Sequence, residues 1–268
     1  MNATTNGTSD AVERTTETES APPITEFTQM LTRRGTVRRF RPDPVPDSWA
    51  RSIVELGMRA PTSSNRQEYS VVQVHDPEKR RALAKLCTNQ QHIVDCPAFF
   101  AVCADQNRVA HALSLYDKEY PAYGLEAGLV ASIDAALVGL TMSYVAESFG
   151  LSSVMIGAAR NHPVEVAKVL ELPPRCYVVF GLCVGWPERP PLPKPRHGLT
   201  GVLHQDVYRP DPHEATVHAY DGQLADYYRA RGVETPEAAW TKVLSEKLAS
   251  PKRTALREEL RELGFPFL

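Results

Sequence analysis

Large apolar residues are nearly missing from the first 23 positions and then recur at helical or strand spacing along the rest of the chain. A segment so rich in Thr, Ser, Glu and Asn cannot bury enough surface to offset its ordering entropy, which predicts a disordered tail over 1–23. It has neither a basic start nor an apolar run, so it does not read as a secretory signal. Residues 24–268 are expected to form one domain. In EFTQMLTRRG, Phe27, Met30 and Leu31 fall at i, i+3, i+4 and predict a short amphipathic helix. After the turn RPDPVP, Asp47 can cap a helix from Ser48 to about Arg59, with Trp49, Ile53, Leu56 and Ala60 on one face. Pro61 ends it and opens the polar loop PTSSNRQ. YSVVQV (69–74) reads as a strand. Pro77 to Leu86 reads as a helix with Leu83 and Leu86 inward. PAFFAVCA (97–104), SSVMIG (152–157) and CYVVFGLCVGW (176–186) read as further strands. Strands alternating with helices predict a three-layer α/β or α+β arrangement.

Residues 124–151 are apolar nearly all round and long enough, at roughly 40 Å, to tempt a membrane-spanning reading. Glu126, Asp134 and Glu147 are spread along the segment, however, and intramembrane carboxylates are costly. The pattern fits a buried helix of a soluble protein, long enough to be the spine of a dimer. From 187 onward the chain changes character. PERPPLPKPRHG predicts a proline-stiffened arm. A helix over HAYDGQLADYYRARG follows, with Tyr220, Leu224 and Tyr227 or Tyr228 inward. One or two more helices are expected near Trp240–Leu248 and Lys252–Leu263.

Composition adds mainly exclusions. Of 268 residues, 43% are hydrophobic and 23% charged, as in ordinary globular proteins. A net charge of −2 gives no basic field for nucleic acid. The five cysteines show no C-x-x-C spacing and sit in apolar runs, which predicts buried thiols in a reducing, cytoplasmic compartment. The eight histidines form no metal-ligand pattern.

Four local features carry candidate chemistry: the cationic RRGTVRRF (33–40), the hydroxyl- and amide-rich APTSSNRQ (60–67), the strand end MIGAARN (155–161), and KPR (194–196) on the arm. Arginine forks and a lysine suit a phosphate, and neutral donors suit a polar heterocycle.

Taken in order, these motifs resemble the nitroreductase family of FMN-dependent NAD(P)H oxidoreductases. The likeness runs from about Thr25 to the C-terminus. VFGLCVGWP, KPR and the AYDGQLADYYRARG helix point to its larger branch of oxygen-insensitive nitroreductases and flavin reductases. The resemblance implies an α+β, three-layer fold with a mixed, mainly antiparallel sheet, a dimer-interface helix and a C-terminal helical extension. It implies that Arg34, Thr36 and Arg38 bind the FMN phosphate and ribityl chain. Gly35 stands where an arginine is common. It implies that Ser63, Ser64, Asn65 and Gln67 face the flavin, that Gln90 bonds the ring edge, and that Ile156 and Gly157 lie against the ring. Lys194 and Arg196 match a second phosphate-binding pair. Arg231 matches a position that grips the 2′-phosphate of NADPH, but a second arginine is missing, and Glu234 and Glu237 stand nearby. The resemblance thus leans slightly to NADPH and leaves NADH open.

No side chain needs to react, because the cofactor carries the chemistry. The implied cycle is ping-pong: NAD(P)H gives hydride to FMN, which reduces nitroaromatic, quinone or flavin acceptors. Partners are a small-molecule acceptor and a second copy of the chain, with no nucleic acid, membrane or metal. The alternatives are a non-catalytic flavin-binding or regulatory protein, or a dehalogenating or flavin-consuming member of the family.

Overall fold

Four apolar runs pair into one sheet: β1 (Tyr69–Gln73), β2 (Ala98–Asp105), β3 (Ser152–Ile156) and β4 (Cys176–Gly185), in the order β1-β2-β4-β3. The computed structural model describes residues 22–121, 124–237 and 239–267, so nearly all of the expected tail lies outside the described residues. Every pairing among these strands is antiparallel, so the sheet is less mixed than the resemblance implies. β2 and β4 are central and covered on both faces, which is why they read as unbroken apolar runs rather than alternating ones.

The two faces carry separate cores. On one, α2 (Asp47–Gly57) and α6 (Leu125–Ser148) pack over Phe100, Val102 and Leu182. On the other, α3 (Pro77–Leu86), α4 (His92–Asp95) and α7 (Pro163–Leu170) cover Phe99, Val178 and Cys183. This is the expected three-layer arrangement. All five cysteines are buried and none is in a disulfide. Pro77 sits in the first turn of α3, and the Asp76 side chain accepts from the Glu78 and Lys79 amides, so this helix starts where the sequence says.

Three details differ from the expectation. α2 begins at Asp47 itself, with Pro46 at the cap position and no side-chain cap. Its inward face is Ala50, Ile53 and Gly57, while Trp49 and Leu56 are exposed. α6 is buried along Ala131, Asp134, Ala135, Val138 and Met142, but leaves Leu125, Leu129 and Ile133 open to solvent.

α1 (Glu26–Arg33) precedes this body, and α5 (Asn107–Ser114) follows β2. Beyond the arm, α8 (His213–Arg229) and α9 (Thr241–Leu248) build a small core of their own from Tyr220, Leu224, Ala225 and Ala239, with Tyr227, Tyr228 and Trp240 packed around it. Asp221 joins them by accepting from the Trp240 and Thr241 amides at 2.6 and 2.9 Å. α10 (Leu256–Glu262) returns to the body, where Leu260 and Phe265 enter the α6-side core.

Candidate active site

β3 ends at Ile156 and passes into a tight turn over Gly157–Asn161. The Gly157 carbonyl accepts from Arg253 Nη2 at 3.1 Å, and Arg253 Nε donates to Asn161 Oδ1 at 2.8 Å. The Arg160 guanidinium lies beside Gly157, 3.4 Å from where a Cβ would stand, and donates to the Val179 carbonyl. Burial, then the nearby Arg253, hold the Arg160 pKa below its usual value. Neither guanidinium is in an ion pair among the described residues. Asn161 Nδ2 donates to Thr88 Oγ1 at 3.2 Å, which ties this turn to the loop carrying Gln90. Gln91 Nε2 donates to Asp95 Oδ1 at 2.9 Å. His92 follows. Burial and then Arg38 lower its pKa, and its Nε2 is buried without a partner among the described residues. The Gln90 loop thus adjoins the turn that carries Ile156 and Gly157, and Arg38 lies near His92 at the end of that loop.

The Val37 amide bonds the Ser153 carbonyl at 3.1 Å, and Glu188 of the arm bonds the Arg39 carbonyl at 3.1 Å. Thr36, Arg38 and Arg39 line a cleft of about 300 Å³ with Glu188, Arg189 and Tyr227 of the arm and extension. Gly35 is buried beneath the arm, where a Cβ would come within 2.9 Å of Pro191 Cβ. Only a residue without a side chain fits so close an approach.

Arg34 goes elsewhere. Its Nε lies 3.3 Å from the buried Glu147 carboxylate, in a second, proline-lined cleft of about 480 Å³. Burial pushes the Glu147 carboxyl up, against the pull of Arg34. Lys194 Nζ donates to the Tyr228 hydroxyl at 2.8 Å, and Arg196 donates to the Lys194 and Pro195 carbonyls. Arg231 donates to the Tyr227 carbonyl at 2.7 Å and stacks 3.4 Å over that ring. These three cations are engaged with the arm and extension.

Ser63, Ser64, Asn65 and Gln67 stand at the other edge of the sheet, before β1. Three strand spacings separate the β1 and β3 edges, roughly 14 Å, so one protomer does not bring this loop and Gly157 to a single flat ligand. Ser64, Asn65 and Gln67 are all left-handed, with φ of 49°, 56° and 55°. Such backbone costs on the order of 1 kcal/mol per residue and persists only where the surroundings impose it. Here Asp134 Oδ1 accepts from the Ser63 amide at 2.9 Å and Oδ2 from the Glu68 amide at 3.2 Å. Glu68 is fully buried; its Oε1 accepts from Arg66 Nη2 at 2.6 Å and from the Tyr120 hydroxyl at 2.9 Å. Burial, then the bond to Glu68, push the Tyr120 phenol up to about 12. Arg108 Nη2 donates to the Gln67 carbonyl at 3.0 Å. Sequence reasoning missed Arg160, Arg253, Glu68, Arg66 and Tyr120 as parts of the site. Arg160 lay within the motif MIGAARN. A glutamate closing a polar loop just before a strand was the one signal for Glu68.

The model of the nitroreductase family matches residues 31–186, and that of the nitroreductase family C-terminal domain matches 194–268. The chain belongs to the nitroreductase family. An FMN reductase [NAD(P)H] of Bacillus subtilis is 34% identical over 250 residues, 90% of this chain and 98% of that protein. An oxygen-insensitive NADPH nitroreductase of Salmonella typhimurium is 33% identical, over 88% of this chain and 97% of that protein. The solved structure of NfrA2 from B. megaterium superimposes with a TM-score of 0.87 at 30% identity, covering 91% of this chain and all of that one. The nitroreductase fold therefore spans both the sheet and the extension.

Proposed function

We propose that this nitroreductase is an FMN-dependent oxidoreductase that takes hydride from NAD(P)H and passes it to nitroaromatic, quinone or flavin acceptors. The observation that carries the reading is the β3-edge turn, where the Arg160 and Arg253 guanidiniums stand at the Gly157 backbone with no carboxylate partner among the described residues. That donor set fits FMN: cations whose charge is unpaired suit an electron-rich ligand, and the half-buried, side-chain-free Gly157 suits the approach of a flat ring. The orphaned His92 Nε2 beside Arg38 marks the same place as short of a ligand.

When bound, FMN supplies the hydride-accepting and hydride-donating centre. Thr36 and Arg38 would hold the phosphate, and Gln90 the polar edge of the ring. Ile156 and Gly157 would leave room for the ring to lie flat. Arg160 and Arg253 would hold a negatively charged or electron-rich group of the acceptor. No rim side chain is needed as a proton donor, so protons come from solvent. A single pocket serving donor and acceptor in turn gives ping-pong kinetics.

The loop Ser63–Gln67 completes the site from a second copy, which docks on the open Leu125, Leu129 and Ile133 face of α6. The protein is then a homodimer with two shared sites. Lys194 and Arg196 join the phosphate once Lys194 leaves Tyr228, and Arg34 reaches it only by leaving Glu147. Arg231, flanked by Glu234 and Glu237, supports use of both NADPH and NADH with a small preference for NADPH. Five unpaired buried thiols support a cytoplasmic setting.

Anaerobic titration of the FMN-reconstituted protein with NADPH and then NADH tests this reading. The flavin band should bleach rapidly and return on addition of a quinone. A protein that binds no FMN, or binds it without bleaching, overturns it.

A further inference from the structure

We infer that Asp134 is a positioning residue of the flavin site, its carboxylate setting the shape of the loop that a second copy presents to the ring. The inference rests on the FMN reading above. Asp134 sits in the middle of α6 with no exposed surface, among Val130, Ala131, Ala135 and Val138. It forms no ion pair among the described residues. A buried charge in an apolar helix persists only where its lone pairs are used. Both oxygens here are used on the same short segment. One takes the Ser63 amide and the other the Glu68 amide, the two ends of the loop. Between those ends lie Ser64, Asn65 and Gln67, the three left-handed residues.

The helix itself does not require this residue. Both of its hydrogen bonds leave the helix for the loop, and the rest of its buried stripe is apolar or small. Asp134 therefore serves the loop rather than α6. Its place on the helix agrees: Ile133, the next residue, is exposed on the face open to a second copy. The loop is held where a partner's rim can meet it.

The test uses the full-length wild type, Asp134→Asn and Asp134→Leu. Asn keeps one acceptor and turns an NH₂ toward the other amide; Leu keeps the branched outline, is larger, and loses both acceptors. FMN affinity is read by quenching of flavin fluorescence, and the melting temperature is read without FMN. Affinity should fall about tenfold in Asn and further in Leu, the scale of one and then two lost charge-assisted bonds. The Asn variant should melt close to the wild type, while Leu, which leaves the buried Glu68 amide without an acceptor, should melt below it. FMN affinity unchanged in both variants overturns the inference, as does affinity that falls only in step with the melting temperature.

Co-expressed heterodimers of Asp134→Asn with Arg38→Ala keep the test open if the Leu variant does not fold. A loop acting across the interface leaves one tight FMN site per heterodimer, because one site receives both intact groups. No tight site overturns the inference. A wild type that binds no FMN sinks the flavin reading; a wild type that binds it, with variants that bind equally well, sinks only the role of Asp134.

Discussion

At the β1 edge the polar loop is tied down by carboxylates: Asp134 grips its two ends and Glu68 is clamped by Arg66 and Tyr120. At the β3 edge the reverse holds: Arg160 and Arg253 stand at Gly157 with no ion-pair partner among the described residues, and Arg38 lies near enough to His92 to lower its pKa. One edge has spent its polar groups on its own backbone. The other hydrogen-bonds its guanidiniums to neutral groups and leaves their charge for something outside the chain. Loss of the buried Glu68 should therefore cost stability first, loss of Asp134 the shape of the loop it holds, and loss of a cation at the second edge binding with the fold intact.

The largest break is Glu68→Ala. It leaves Arg66 and the Tyr120 hydroxyl without their acceptor, and should cost about 3 kcal/mol in denaturant unfolding. That is the low end for a buried pair, because the Arg66 side chain is 33% exposed. Next comes Arg38→Ala. A lost charge-assisted phosphate contact predicts FMN affinity about ten- to a hundredfold weaker by fluorescence titration. Its melting temperature without FMN should stay at the wild-type value. If Arg38→Ala lowered stability as much as Glu68→Ala, the division between the edges would collapse.

The same contrast explains what could be read in the chain. β1 to β4 and α3 emerge within a residue or two, because each is a local apolar pattern bounded by Pro, Asp or Gly. The face of α2 was misread because Trp49 and Leu56 outweigh Ala50 and Gly57 in any apolar count. Small residues win here: Gly57 lets α2 lie directly on Met142 of α6. Of the candidate site residues, Arg38, Ile156 and Gly157 lie within short motifs that a local reading can single out. Arg34 looked like part of the same cluster but caps the end of α1, and its side chain turns toward Glu147 on α6. Arg253 bonds Gly157 across 96 positions of chain, and Tyr120 bonds Glu68 across 52. No local pattern reports partners so far apart. Even the separation of Ser63–Gln67 from Gly157 is a matter of strand order, which periodicity does not encode.

A smaller effect is expected at Gly35, where the arm passes over the cationic segment. Gly35→Ala places a methyl 2.9 Å from Pro191 Cβ. Both are bound to rigid backbone, so the arm must shift, at about 1 kcal/mol of unfolding free energy. FMN affinity should fall a few-fold if the arm's position shapes the cleft lined by Thr36, Arg38 and Arg189. Unchanged stability and affinity together would mean the arm moves freely and plays no part in that cleft.

The smallest effect is also the one that reads the β3-edge charge most directly. Burial first, and Arg38 second, depress the pKa of His92 below 6.5. In the free protein its stabilising contribution is therefore complete above pH 6.5 and is lost as pH falls through the folded-state value. A phosphate held by Arg38 cancels part of that cation's push, so His92 should titrate higher with FMN bound. The complex then takes up protons below pH 6.5, and His92 favours binding in the range where it disfavours the free fold. The phosphate's own second ionisation, near 6, works in the opposite direction. The informative comparison is accordingly with His92→Asn, whose FMN affinity should fall a few-fold more steeply between pH 7.5 and about 5.5 than that of the wild type. Ring resonances of His92, followed by NMR with and without FMN, give the shift itself. Superimposable affinity profiles and an unmoved resonance would put His92 outside the phosphate's field, and would leave Arg38 without the neighbour that links it to the Gln90 loop.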